Sequence, residues 1–168
     1  MNLTIERDSS TMANRSVIHS TFVIERSYSA NPERVFAAFA DPAAKRRWYG
    51  EHESMSMEEF RMDFRVGGHD YARYTFGPNS PFPGATLVNN TVYQDIVPQR
   101  RIVIAYTMAI GDNRFSASQA TFEFVPSAQG TGLIFTEQGA FFEGADGPQM
   151  REAGWRKLLD KLAGWLER

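Results

Sequence analysis

The chain is 168 residues long, with an apolar fraction of 42% and a charged fraction of 23%, which places it among ordinary globular domains able to bury a core. A formal net charge of -2 supplies no global field toward nucleic acid or an acidic membrane surface. Zero cysteines exclude disulfides, thiolate metal sites and a cysteine nucleophile, and suit a reducing cytoplasm.

Residues 1–16 mix charge with Ser, Thr and Asn without a period and read as a mobile tail. They lack the apolar run of a signal peptide, and no segment is long and apolar enough to span a bilayer. A single domain is expected over residues 17–168, in the cytoplasm. Residues 17–28 read as a strand with Ile18, Phe22, Ile24 and Tyr28 on one face. Asn31-Pro32 is a helix-start pair, and Val35, Phe36 and Phe39 follow at helical spacing. Asp41-Pro42 ends that helix and begins a second one through Trp48.

Two strand-like runs follow, 55–66 and 69–76, joined at Gly67-Gly68, a two-residue hairpin signal. Met55 and Met57 share one parity while Phe60, Met62 and Phe64 share the other, so a bulge near Glu58 is needed to put them on one face. Three prolines make 77–84 a loop. Residues 86–97 and 101–110 form a hairpin turning at Pro98-Gln99, and strands over 115–125 and 133–142 complete a run of short connections that favours antiparallel pairing. Ile102, Ile104, Tyr106 and Met108, then Ala120, Phe122 and Phe124, then Leu133, Phe135, Glu137 and Phe141 fall on the inward parity.

The last stretch, 147–168, is the longest element. Trp155, Leu158, Leu159, Leu162, Trp165 and Leu166 repeat at the spacing of one helical face, with Asp146 or Gly147 as cap and Pro148 in the first turn. Such a helix runs roughly 30 Å at about 1.5 Å per residue.

The stretch from Phe22 to Phe36, with Asp41-Pro42 and Trp48 after it, resembles the opening of the activator-of-Hsp90-ATPase-like family of the START/Bet v 1-like (SRPBCC) superfamily. Asp63 to Gly68, Tyr93 to Pro98 with Arg101, and Gly154-Trp155 with Leu158, Leu159 and Leu162 continue the match in order. The resemblance implies an α+β helix-grip fold, in which a curved antiparallel sheet of about seven strands wraps the long C-terminal helix. Two short helices follow the first strand, and a pocket lies between sheet and helix. It also implies binding of small apolar molecules, with cyclase- or hydrolase-like members as the alternative. Stimulation of Hsp90 belongs to longer proteins with a further N-terminal domain, so an Hsp90 partner is not expected here.

No Ser-His-Asp set, nucleophile elbow or phosphate loop is present, so no catalytic residue is assigned. His19, His52 and His69 have no metal-ligand spacing, and neither a metal nor a cofactor is expected. Lys45-Arg46-Arg47 reads as a solvated helix face. Glu137 and Arg26 sit on apolar parities of their strands, where a charge must be paired or solvated; each is either a pocket group or half of a structural ion pair. The expected ligand-contacting set is Trp48, Tyr74, Tyr93, Tyr106, Met108, Phe122, Glu137, Trp155 and Leu159, with Trp155 and Leu159 as the pocket floor and Tyr71 among further aromatic candidates. A small apolar or aromatic ligand is the expected partner. A chaperone-type interaction module is the remaining class, and a homodimer is left open.

Overall fold

The computed structural model describes residues 16–50 and 52–168. Its elements run β1 (Ile18–Tyr28), α1 (Pro32–Ala40), α2 (Pro42–Gly50), β2 (Met55–Met62), β3 (His69–Phe76), β4 (Thr86–Val97), β5 (Arg101–Ile110), β6 (Asn113–Ser127), β7 (Gly130–Phe141) and α3 (Gly147–Leu166). Apart from Ser16, the predicted tail lies outside the described residues. All pairings are antiparallel in one open seven-stranded sheet of order β1-β7-β6-β5-β4-β3-β2. The strands from β2 onward follow as hairpins, while β1 lies beside β7. This is the expected α+β helix-grip arrangement.

Local chemistry sets most boundaries. Asn31 Oδ1 accepts the Arg34 N–H at 2.9 Å, and Pro32 opens α1. Asp41 closes α1 and starts α2, its carboxylate accepting the Ala43 and Ala44 N–H groups at 2.8 and 3.3 Å. The register of β2 against β3 shifts between Met57 and Glu59, so the bulge at Glu58 exists and brings both parities onto one face.

The β2–β3 connection departs from the two-residue turn. β2 stops at Met62, and residues 63–68 form a loop that folds onto β4. The Gly67 N–H donates to the Tyr93 carbonyl at 2.8 Å, and the Gly68 carbonyl accepts from the Tyr93 N–H at 3.0 Å. A Cβ on Gly68 would sit 2.1 Å from the Asp63 carbonyl oxygen, so only glycine closes this loop.

The inward parity of β5, β6 and β7 is buried as expected from Ile102 through Tyr106, Ala120 through Phe124, and Leu133 through Phe141. Phe39 stacks edge-on or tilted against Trp48, Phe122 and Phe124 at ring separations of 5.0, 5.0 and 5.4 Å. Trp155 lies 4.4 Å from Phe135. These rings fill most of the space between sheet and helix. Along α3, Trp155, Leu159, Leu162 and Leu166 are buried and Leu158 and Trp165 only partly so. The helix packs on β1, β7 and the two short helices. It stands away from β3 and β4, where a second, smaller cluster forms around Tyr74, Leu87 and Phe115.

Asp146 does not cap α3. Its backbone is already helical at φ -58° and ψ -33°, and it makes no capping bond. Both carboxylate oxygens instead receive Arg151, from Nε at 2.9 Å and Nη2 at 3.1 Å.

Candidate functional site

Of the cavities this packing leaves among the described residues, two are bordered by the predicted residues. Inside the main core is a void of about 30 Å³ bordered by Trp48, Tyr93, Phe122, Asp70 and Thr91. At about 10–15 Å³ per ordered water it has room for two or so. The other is an open cleft of about 780 Å³ where the start of α3 overhangs β3, β4 and β5. Tyr74, Leu87, Met108, Trp155 and Leu158 give it an apolar lining, and Met55 and Met150 stand at its edges. Side chains of both clusters border the cleft, Tyr106 and Trp155 from the main core and Tyr74 and Leu87 from the smaller one.

The predicted residues divide between these places. Tyr74, Met108, Tyr106 and Trp155 line the cleft, the last two also bordering the void. Trp48, Tyr93 and Phe122 touch only the void, because the Phe side chains around them consume the space a larger chamber needs. Leu159 reaches neither cavity; it is fully buried, and its carbonyl accepts the Tyr28 hydroxyl at 3.1 Å. Its neighbour Leu158 lines the cleft in its place, since one residue along a helix turns the side chain by about 100°. Tyr71 is half-buried under the Arg61 guanidinium and lines neither cavity.

Glu137 is completely buried and lines neither cavity. It sits across from Ala120, in a part of the sheet where Ser116, Ser118 and Gly139 also keep the face low. Arg151 descends into that depression from α3. Its Nη1 lies 3.2 Å from Glu137 Oε1 and 3.0 Å from Tyr106 Oη, and its Nη2 donates to Ser116 Oγ at 2.7 Å. Tyr106 donates to Glu137 Oε2 at 2.6 Å and accepts from Trp155 Nε1 at 3.2 Å. With two N–H groups on its two lone pairs, the Tyr106 oxygen is saturated. Burial pushes the Glu137 carboxyl above its usual range, against the Tyr106 hydrogen bond and the Arg151 charge, which pull it down. Burial also drives the Tyr106 hydroxyl well up, with Glu137 adding to it. Arg26 is elsewhere, at the outer edge of α3, where Nε donates to Asp160 Oδ1 at 3.2 Å; it is half of a structural ion pair.

The sequence reading missed Arg151, although it lies four residues before Trp155 and so extends the apolar face by one turn. It missed Lys45 as well. Rather than a solvated side chain, Lys45 turns inward to Asp70 Oδ2 at 2.7 Å, while Tyr93 donates to the same oxygen at 2.5 Å. Only Arg46 and Arg47 of the basic run stay in water. Asp70 Oδ1 is buried without a partner among the described residues, beside the small void, where an ordered water can serve it. Among the described residues no group of three or more His, Asp or Glu side chains converges to hold a metal ion. No helix among them is long and apolar enough to cross a membrane.

The cleft's inner wall holds several uncharged polar groups. Asn89 Nδ2 donates to Tyr49 Oη at 3.2 Å, and Thr91 donates to Asn89 Oδ1 at 2.8 Å. His52 meets the Tyr74 ring edge-on at 5.1 Å. Burial, with the nearby Lys161 charge, lowers the His52 imidazole to about 4, so it is neutral at pH 7. Burial raises the Tyr49 and Tyr74 hydroxyls, which remain protonated donors. Gly154, in the middle of α3, faces the cleft, and a Cβ there would meet nothing within 4 Å.

Comparison with known proteins gives a consistent picture. The model of the family described as Activator of Hsp90 ATPase homolog 1-like protein matches residues 29–167. A crystal structure of a protein from Rhizobium loti is 49% identical, with 90% of this chain and 99% of that one covered and a TM-score of 0.81. A protein from Rhizobium leguminosarum is 37% identical over 91% of this chain and 97% of its own, with a TM-score of 0.84. An AHSA1-like protein from Aeromonas hydrophila, 20% identical over 88% of this chain and 92% of its own, shares the fold at a TM-score of 0.65. No curated protein matches the chain.

Proposed function

This chain belongs to the activator of Hsp90 ATPase homolog 1-like family, a family of the SRPBCC type, and from that premise we propose that it binds a small apolar or aromatic molecule in the cleft beneath α3. The observation that carries the proposal is the cleft itself. Its volume of about 780 Å³ falls within the span of small-molecule sites, and aromatic, Leu and Met side chains make up much of its wall. The mid-helix glycine supports the same reading. Gly154 is unfavourable to a helix by about 1 kcal/mol relative to alanine, and what its missing side chain leaves is open space over the cleft.

The Tyr106–Glu137–Arg151 cluster supports binding over catalysis. Its donors and acceptors are spent on one another, so it fixes α3 against the sheet and offers no group for proton transfer to a substrate.

The test is a fluorescence titration with the naphthalene dye ANS, read both from the dye and from Trp155. Saturable binding to the native protein is expected. The variant Gly154→Phe, whose Cβ would meet nothing within 4 Å and whose ring would occupy the cleft, should weaken it at least tenfold. A native protein that leaves ANS unbound, or a Gly154→Phe variant that binds it equally well, overturns the proposal.

A further inference from the structure

An open sheet has two free edges, and this chain treats them differently. The β2 edge is blunted in the ways that keep strands from pairing. It is eight residues long, is broken by the bulge between Met57 and Glu59, and carries Glu58, Glu59 and Arg61. The β1 edge has neither bulge nor proline nor lysine, and its eleven residues hold unbroken register with β7. Among the described residues its backbone bonds only to β7, apart from the Glu25 carbonyl, which accepts Arg26 Nη1 at 3.0 Å. Ile18 and Val23 on it are 57% and 49% exposed. A long, regular edge with exposed apolar side chains is a template for a further strand.

The order of residues in β1 fits a second copy of itself. Two such edges meet antiparallel across a two-fold axis normal to the sheet, which places residues of equal parity opposite one another. With Phe22 on the axis, His19 falls opposite Glu25 and Thr21 opposite Val23 on the outer face, each pair twice by symmetry. An imidazole then faces a carboxylate at both ends of the ladder, and no like charges are opposed. On the inner face Phe22 meets its own counterpart beside Phe135, and Ile18 meets the aliphatic stem of Arg26. Both exposed apolar side chains are covered. Moving the axis to Val23 loses this match, because Glu25 then faces Thr21 and His19 faces Ser27.

The helix beside this edge raises no objection. α3 flanks β1 through Asp160, which holds Arg26, and one turn earlier Arg156 holds Glu152. The charges on that flank are therefore matched within one copy before a second arrives.

We propose that β1 is a self-association edge, through which two copies join their seven-stranded sheets into one continuous sheet with Phe22 on the two-fold axis. The paired stretch from Ile18 to Arg26 is about 30 Å long at about 3.4 Å per residue. One strand pair is a small interface, so the expected dissociation constant is on the order of micromolar.

The test is sedimentation of the full chain from about 1 μM to about 1 mM, which spans that constant. The parent protein should pass from monomer to dimer within this range. His19→Glu opposes two carboxylate pairs and should weaken association about tenfold or more. Adding Glu25→Lys to it restores opposite charges and should return the constant to within about threefold of the parent's. Thr21→Lys/Val23→Lys sets lysine opposite lysine twice and should leave only monomer. His19, Thr21, Val23 and Glu25 are all exposed, so the variants should melt as the parent does when dilute. A parent chain that is monomeric at about 1 mM overturns the proposal. So does a dimer indifferent to the lysine pair, which would use another surface. A loss in His19→Glu that Glu25→Lys does not restore refutes the register, and the argument for a second copy falls with it.

Discussion

Replacing Arg151 with methionine isolates the energetics of the buried cluster. The guanidinium is 6% exposed and the Glu137 side chain fully enclosed, so Arg151→Met leaves a carboxylate inside the protein with the Tyr106 hydroxyl as its remaining strong donor. Removing one partner of a buried pair destabilises by roughly 3–5 kcal/mol. For a chain of this size each kcal/mol moves the melting temperature by about 2–4 °C, which puts the expected drop at about 6–20 °C. The double variant Arg151→Met/Glu137→Gln keeps an acceptor for Tyr106 and removes the stranded charge. It should recover at least about 2 kcal/mol of the loss, a coupling that a double-mutant cycle in urea measures directly. pH supplies a second handle. Burial holds the Glu137 carboxyl above the unfolded value of 4.5, so the folded chain binds that proton more tightly than the unfolded chain. Its contribution is therefore complete below 4.5 and declines as pH climbs through the raised folded value. The single variant's deficit should accordingly shrink on acidification from pH 7 toward 5, and the double variant's should not. A single variant that costs under about 1 kcal/mol, or a double variant no more stable than the single, would refute the reasoning.

Two further expectations concern the cleft wall and the loop between β2 and β3. His52, lowered to about 4 by burial and Lys161, opposes acidification: its share of stability is whole above 6.5 and is lost as pH falls from 6.5 to 4. Replacing it with glutamine should flatten that part of a stability–pH curve, and an unchanged curve places the titration elsewhere. Gly68→Ala puts a carbon 2.1 Å from a backbone oxygen, so the loop that holds both Tyr93 backbone groups must move. A loss of about 1–3 kcal/mol by urea denaturation is expected, and a neutral result would show that the loop has room to give.

Much of the fold was legible because its signals are local. Asn31-Pro32 and Asp41-Pro42 act within one turn of themselves, and strand parity needs only the alternation of neighbours. Even the Glu58 bulge was visible, as a conflict between two parities. The site was less legible because it depends on volumes and on helix rotation. Leu158 and Leu159 are equally apolar, and which one meets the cleft follows from where α3 is anchored. That anchor is Arg151, a lone charge in a charged helix start, whose partners come from β5, β6, β7 and the residue before α3. The same partnership took Asp146 from its expected capping role. How far thirteen phenylalanines fill the interior is likewise a three-dimensional sum that no spacing reveals. The cleft proposed as the ligand pocket therefore lies to one side of the main core, and only a small void remains within that core.

The division of the apolar side chains into two clusters gives the molecule unequal parts. The larger one, under α3, ties β1 to the C-terminal helix. The smaller one depends on β2, an edge strand, and on β3 beside it. A small cluster with one unpaired edge opens at a lower free energy than the whole, so amide exchange in β2 and β3 is expected to proceed through partial opening while β5 to β7 stay closed. A ligand seated in the proposed site would touch both parts and be lost when the smaller one opens. Its binding free energy would add to the cohesion of the hairpin, and occupancy would be recorded as slower exchange at an edge of the sheet.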